Sequence, residues 1–312
     1  MRIVIIGAGA IGISIGASLA GSGADVSFLV RTARLKTLQK QRFYLRYLGE
    51  ENAFSDIKLK DNPRDLNGAD LVIVAVKMYD FKPALKLAAT MLSGDGCVAT
   101  IQNGVEAPTM AAKVVGKCRV IAGVSWLGAN YIDQGMVEMF GGMTGRPWFE
   151  FGCMESDAVN KKTLDTFVSM LRSAGLPAKI RTDVNFLLWE KFCLIAATSS
   201  VSALLRKTIG EIRQDPDGIN LIEKAIREAV EVGNAAGASL KPSQVRTAMV
   251  LIDSMPFSAS PSQLADLLIG KPLELEWLSG FIVRLGLSKG ILTPYHDIVF
   301  AALKPYAKGG MV

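Results

Sequence analysis

An α/β chain, with an N-terminal doubly wound sheet domain followed by an all-helical C-terminal domain, is the fold class the sequence predicts. Three observations predict it. Met1 to Arg31 reads as strand, glycine turn, helix and second strand. Short apolar runs then alternate with helical patterns as far as Ile180. Beyond Thr182-Asp183 the apolar periodicity is almost wholly helical.

The opening stretch is the most specific of the three. Arg2 to Ile6 is a short β-branched run that stops at Gly7, and Gly7, Gly9 and Gly12 give G-x-G-x-x-G in register. Ile11, Ile15 and Leu19 follow at helical spacing, and Val26 to Val30 closes a βαβ unit. In such a unit the first glycine permits the tight turn, the second lets backbone approach a pyrophosphate, and the third lets helix pack on strand. The helix N-terminus offers free N–H groups and partial positive charge to the phosphates. Gly7, Ala8, Gly9, Ala10, Ile11 and Gly12 therefore form a candidate dinucleotide cradle in a Rossmann-type domain. A Gly-rich turn with no ligand is the alternative.

The end of the second strand bears on which dinucleotide. An NAD-binding fold places Asp or Glu there to bind the ribose 2′-hydroxyl. Here the chain runs Val30-Arg31-Thr32-Ala33-Arg34, with no acid in reach. Arg31 suits a 2′-phosphate, and Arg34 adds charge, so NADP(H) is the expected cofactor. A solvated arginine after a strand is the bland reading.

Further along, Leu45 to Lys60 reads as an extended excursion with an edge hairpin, and Ala69 to Val76 as a buried parallel strand. Tyr79 to Met91 reads as helix, Cys97 to Ile101 as strand, and Val105 to Val115 as helix. Arg119 to Phe151 suggests strands extending the sheet, Lys161 to Ala174 a helix, and Ala178 to Ile180 a last strand. Gly7, Arg31, Lys77 and Asn103 all fall at carboxyl ends of predicted strands, where doubly wound sheets bind ligands. The domains are thus expected at residues 1–182 and 183–312. Predicted helices in the second are Val184 to Leu205, Ile219 to Ala236, Pro242 to Met255, Pro261 to Leu268, Leu273 to Leu287 and Pro294 to Tyr306.

Composition narrows the function. The net charge is +6, but Lys and Arg are scattered among acids with no basic run, so no nucleic-acid partner is expected. An anionic cofactor and a small anionic substrate explain the balance equally well. The four cysteines are widely spaced, and His296 is the only histidine, which excludes a His-based triad or multi-His metal site. The N-terminus imitates a secretory signal, yet its glycines keep the nucleotide register, and no other stretch reads as membrane-spanning. A cytoplasmic protein with no membrane partner is expected, and a homodimer is compatible with it.

Taken together, Gly7 to Gly12, Val76-Lys77, Gln102-Asn103-Gly104, Trp189-Glu190-Lys191, and Ser262 through Asp266 to Glu274 resemble the ketopantoate reductases (2-dehydropantoate 2-reductases) in order and spacing. The resemblance implies a Rossmann domain followed by a helical domain, with the active site in the cleft between, and hydride transfer from NADPH to the ketone of a 2-oxo acid. It makes Lys191 the catalytic, substrate-contacting lysine, which donates a proton to the carbonyl oxygen or polarises it. A snorkelling lysine is the alternative. Lys191 lies between Trp189 and Phe192 in an apolar helix, where desolvation would lower its pKa. Glu274 matches a catalytic glutamate near cofactor and substrate, against an ordinary surface acid. Asn103 matches a residue between the two, against plain Asn-Gly turn chemistry. Ser262 matches a substrate-binding serine, against a helix cap. Lys77 and, more loosely, Ala129 match cofactor contacts.

The departures concern the substrate. Members that reduce ketopantoate carry asparagines four, eight and eighteen residues after the lysine. Here those positions are Ile195, Ser199 and Ile209. Positions four and eight share a helix face with Lys191, and isoleucine in place of asparagine removes two donors and an acceptor and lines the pocket with hydrocarbon. The expected activity is reduction of 2-dehydropantoate to pantoate, in pantothenate and coenzyme A biosynthesis. The alternatives are a relative acting on a more apolar 2-oxo acid or on a 3-oxo acid, and an NADP-binding redox sensor without turnover.

Overall fold

The computed structural model describes residues 1–40, 42–54, 57–132, 135–143 and 145–310. The chain falls into two compact units. Met1–Gln102 and Glu106–Val184 make the first; Asn103–Val105 and the chain from Asn185 onward make the second. The short segment at Asn103 thus packs with the later half of the chain, which no local pattern foretells.

In chain order the first unit holds β1 (Arg2–Ile6), α1 (Ala10–Gly21), β2 (Asp25–Leu29), α2 (Thr32–Leu38), β3 (Phe43–Tyr47), β4 (Glu50–Phe54) and β5 (Lys58–Lys60). There follow β6 (Ala69–Val74), α3 (Met78–Met91), β7 (Leu92–Thr100), α4 (Glu106–Val115), β8 (Val120–Ser125), β9 (Gly128–Tyr131), β10 (Met136–Gly141), β11 (Phe149–Cys153), α5 (Ala158–Ser173) and β12 (Ala178–Ile180). The main sheet has the order β12-β11-β8-β7-β6-β1-β2-β5. Its strands from β5 to β8 are parallel, and β11 pairs antiparallel with β8. Taken without the β3–β4 hairpin, the parallel part follows the doubly wound order of a Rossmann fold, with the first glycine turn between β1 and α1 at the reversal. Ile3, Val4 and Ile5 are closed to solvent on both faces, as a central parallel strand requires.

Two sequence expectations are corrected here. The excursion after α2 is not only an edge hairpin of the main sheet. Its strands β3 and β4 join β10 and β9 in a separate four-stranded sheet of order β4-β3-β10-β9, and only β5 reaches the main sheet. Likewise β9 and β10 do not extend the main sheet; only β8, β11 and β12 do. The cause is α1. Its residues Gly12 to Ala17 are all buried, and Phe28 of the main sheet meets Phe43 of the small one edge to face, with centroids 5.5 Å apart. A helix apolar all round needs cover on more than one side.

The glycines of the turn have different reasons. Gly7 has φ +109°, in the range that disfavours side chains, and a Cβ there would lie 2.8 Å from the Ala75 carbonyl. A Cβ on Gly12 would lie 2.1 Å from the Gly7 carbonyl, so the helix could not start against this turn. A Cβ on Gly9 would meet nothing within 4 Å. We expect Gly12→Ala to cost about 2 kcal/mol or more, as overpacking against backbone does, and Gly9→Ala less than about 1 kcal/mol. Urea unfolding of the two variants checks this; similar losses would contradict it.

The second unit is helical: α6 (Val184–Leu205), α7 (Ile209–Arg213), α8 (Pro216–Ala235), α9 (Gln244–Ser254), α10 (Ser262–Leu268), α11 (Ser279–Lys289) and α12 (Pro294–Leu303). One predicted helix is broken. Leu273 to Leu287 is not continuous, because Leu275–Trp277 forms a 3-10 turn and α11 starts afresh at Ser279. The apolar helix α6 is long and apolar enough to cross a membrane by length and composition, contrary to the sequence expectation, but most of it is buried within the protein. It is the core helix of its unit, packed through Trp189, Phe192, Cys193 and Ala196 against Ala229, Val232, Leu278 and Ile282.

Candidate active site

Helix α6 carries one cation into this apolar core. Lys191 is 6% exposed and stands among Trp189, Phe192 and Cys193. Its Nζ donates to Asn103 Oδ1 at 2.9 Å, across 88 positions of sequence. Burial pulls the ammonium from 10.5 down to about 7, and the charge of Glu274 pulls it partly back. A lysine so placed titrates near neutral pH, which suits a group that must both give and take a proton.

The residue before Asn103 is clamped. The Gln102 amide donates to the carbonyls of Val74 at 2.5 Å and Val76 at 3.1 Å, and accepts from the Ile101 N–H at 3.1 Å. It thereby fastens the carboxyl ends of β6 and β7 together. The chain then turns at Gly104, with φ +104°, and Val105 packs on the core around Trp189 and Phe192.

Glu274 owes its place to the break before α11. It heads the 3-10 turn and is 6% exposed. Two residues on, Glu276 faces outward and accepts from Arg284 Nη1 at 2.8 Å. The 3-10 turn, and not a continuous helix, points these two acids apart. Close by, His296 is buried and neutral, its pKa pushed down to about 4 by burial. Its Nε2 lies 3.0 Å from the Ala225 carbonyl, which can only accept, so that nitrogen carries the proton. Nδ1 then accepts from the Ser279 hydroxyl at 3.0 Å, and Ser279 Oγ lies 2.6 Å from Ser200 Oγ. This chain ties α12, α8 and α11 to α6, holding the start of α11 to the helix that bears Lys191. In sequence His296 only excludes multi-His chemistries, and nothing local to it marks this role.

Other candidates fall as follows. Ala8, Ala10 and Ile11 complete the turn around the N-terminus of α1, where Gly9 is the N-cap residue and no side chain caps the helix. Its first N–H groups have no acceptor within the helix. Arg31 stands at the end of β2 with its side chain 75% exposed, and it pairs with Asp80 of α3. The view that no acid lies in reach of Arg31 holds only locally, since the fold brings one from 49 residues away. The guanidinium of Arg34 lies 5.0 Å over the Tyr131 ring. Lys77 is the N-cap residue of α3. Ala129 lies in β9 opposite Met139, half-buried against the core around α1.

On the substrate side, Ser262 is exposed at the first position of α10, and the N-cap is Pro261, so Ser262 is not a helix cap. Its neighbour Gln263, which the sequence reading passed over, is 2% exposed with neither amide atom hydrogen-bonded among the described residues. From Leu187 to Ala203 every residue is buried except Ile195, one turn beyond Lys191. Ser199 is buried, and Ile209 is fully buried as the first residue of α7. Of the three positions expected to present altered chemistry to a substrate, Ile195 is the most accessible, Ser199 is as closed as Lys191 itself, and Ile209 is fully closed.

Comparison with known proteins agrees with this layout. Residues 3–155 match the family model described as ketopantoate reductase PanE/ApbA, and residues 183–307 match its C-terminal counterpart. The chain belongs to the ketopantoate reductase family. This is an oxidoreductase family, and the chain is 32% identical to a 2-dehydropantoate 2-reductase of Archaeoglobus fulgidus, over 93% of this chain and 92% of that one. Among solved structures, a 2-dehydropantoate 2-reductase from Geobacter metallireducens superposes with a TM-score of 0.88 at 25% identity, covering 98% of this chain and 99% of that one. A D-mandelate dehydrogenase solved with NADH and anilino(oxo)acetate shares the fold, with a TM-score of 0.88 at 20% identity, covering 98% of each chain.

The buried lysine carries a stability consequence. Below about pH 7 it is charged in both folded and unfolded chains, and its burial penalty is fully felt. Between about 7 and 10.5 the unfolded chain keeps a proton that the folded chain has lost, so this contribution to stability rises with pH. Lys191→Met should therefore stabilise the protein more at about pH 6 than at about pH 9. Thermal unfolding at both pH values measures it; an equal gain at both would deny the lowered pKa.

Proposed function

We propose that this family member uses NADP(H) to reduce the ketone of a 2-oxo acid to the 2-hydroxy acid, with 2-dehydropantoate as the first substrate to test. The observation that carries the reading is the buried Lys191 ammonium, held by Asn103 and faced by the charge of Glu274. Relatives named 2-dehydropantoate 2-reductase support the choice of substrate.

The residues present fit a dinucleotide. The missing Cβ of Gly9 relieves no clash within the chain, since nothing lies within 4 Å of where it would be. What it leaves open is the approach to the N-terminus of α1, where a pyrophosphate is favoured. Gly7 to Gly12 would hold that pyrophosphate, and Arg31 and Lys77 would bind the adenosine end, Arg31 through a 2′-phosphate. A bound nicotinamide would supply the hydride. The protein's own part is proton delivery and charge stabilisation. Lys191 gives its proton to the ketone oxygen as negative charge develops there. Asn103 fixes the direction of the ammonium, and Glu274 keeps a share of Lys191 protonated in an apolar setting. Glu274, Asn103 and Ser262 are the remaining polar groups assigned to cofactor or substrate.

If Lys191 is the donor, Lys191→Ala should lower kcat by about 10² or more, with NADPH affinity near normal. In the parent protein kcat/KM for reduction should fall as pH rises through about 7, because the proton-bearing form is lost. A flat profile from about pH 6 to 9, or ordinary turnover by the variant, would remove Lys191 from the reaction.

A second reading concerns the substrate. Ile195 stands accessible where ketopantoate-reducing members have asparagine, which favours a more apolar 2-oxo acid. We expect an analogue lacking the ketopantoate hydroxyl to be reduced within about tenfold of ketopantoate, and Ile195→Asn to shift that ratio toward ketopantoate. The ratio of kcat/KM for the two acids decides. A thousandfold preference for ketopantoate in the parent protein would mean that other groups, such as the Gln263 amide, supply the recognition. No turnover on any 2-oxo or 3-oxo acid would favour a nucleotide-binding sensor.

A further inference from the structure

The ion pair between Arg31 and Asp80 leads beyond this reading while resting on its assignment of Arg31 to a 2′-phosphate. We propose that Asp80 is a specificity-determining residue of the cofactor site: its carboxylate competes with the 2′-phosphate for Arg31 and so narrows the preference for NADPH over NADH. Four observations place it there. Arg31 is the last residue before α2, at the carboxyl end of β2, where a Rossmann fold receives the ribose. Its Nη2 donates to Asp80 Oδ2, so the guanidinium that would clamp a phosphate already holds an anion. Asp80 lies in the first turn of α3, three residues after Lys77, with its N–H on the Lys77 carbonyl at 3.0 Å. A carboxylate is favoured in that turn by the helix dipole, which holds Asp80 in place and offsets charge that would attract phosphate. Finally, the guanidinium of Arg34, in the α2 helix that follows, lies over the Tyr131 ring and not on Asp80.

The consequence follows from charge alone. A 2′-phosphate carries about two negative charges at neutral pH. To bind Arg31 it must displace Asp80 or accept it as a like-charged neighbour, whereas the 2′-hydroxyl of NADH meets neither cost. Exposed ion pairs are individually weak, so the expected effect is a moderated preference and not its reversal.

The test is binding of NADPH and NADH to the full-length protein, by quenching of tryptophan fluorescence, for the parent, Asp80→Asn, Arg31→Ala and the double variant. Asp80→Asn should tighten NADPH by about three- to tenfold, the sum of one exposed ion pair removed and one repulsion relieved, and leave NADH within about twofold. The gain should shrink as salt is raised. Unchanged or weaker NADPH binding by Asp80→Asn, while Arg31→Ala still selectively weakens NADPH, would overturn the role of Asp80 and leave the cofactor reading standing. Equal loss of both dinucleotides in Arg31→Ala would overturn the phosphate assignment itself. The competition proposed for Asp80 then falls with it.

Discussion

The desolvation of one lysine is the constraint on which the candidate site depends. Taking an ammonium out of water is costly, and α6 does so in the middle of a mostly buried helix whose other charged buried residue is the neighbouring Glu190. The cost is offset by the carbonyl oxygen of the Asn103 side chain and by the charge of Glu274. Each partner demands an arrangement of its own. Asn103 needs the strand ends stitched by Gln102 and a turn at Gly104; Glu274 needs the helix before α11 to break. The relay from Ala225 through His296 and Ser279 to Ser200 then keeps that break in register with α6. A single buried charge thus organises residues from five places in the chain.

How much of this was legible follows from the range of the interactions. The βαβ opening could be read because its determinants are local: a β-branched run, glycines at fixed offsets, and apolar residues at helical spacing. Lys191 could be singled out because a charge in an apolar helix is visible in one dimension. By contrast, the second sheet was invisible, because the parallel pairing of β3 with β10 spans most of the first unit and leaves no local mark. The break at Leu275–Trp277 was missed for a related reason. The stretch has continuous helical periodicity, and only packing shows that Leu275 belongs to the core with Ala203 and Leu303, while Leu278 faces the cluster around Trp189.

The same distinction runs through the site. Arg31 was legible as a cation at a strand end, but its engagement by Asp80 was not, since nothing near Arg31 in sequence is acidic. The substitutions at Ile195, Ser199 and Ile209 were visible as departures from a pattern, yet their accessibility depends on which side of a helix meets its neighbours. Ile209 is fully closed off and bears on a substrate only through what it packs against, whereas Ser199 is as exposed as Lys191 itself. Gln263 shows the reverse failure: an ordinary helical glutamine in sequence, and a buried amide without a partner among the described residues in three dimensions.

The membership of Asn103–Val105 in the second unit has a consequence for anyone recombining this family. The peptide passes from one unit to the other at Asn103, returns after Val105, and passes again at Asn185. The two units are therefore not exchangeable cassettes joined by one linker. A chimera that takes its helical half from a relative at Asn185 would inherit the foreign surface around residues 189 and 192, but keep the native Asn103 and Val105 that were shaped to another lysine helix. A faithful graft must carry three residues from the middle of the first half along with everything after the boundary.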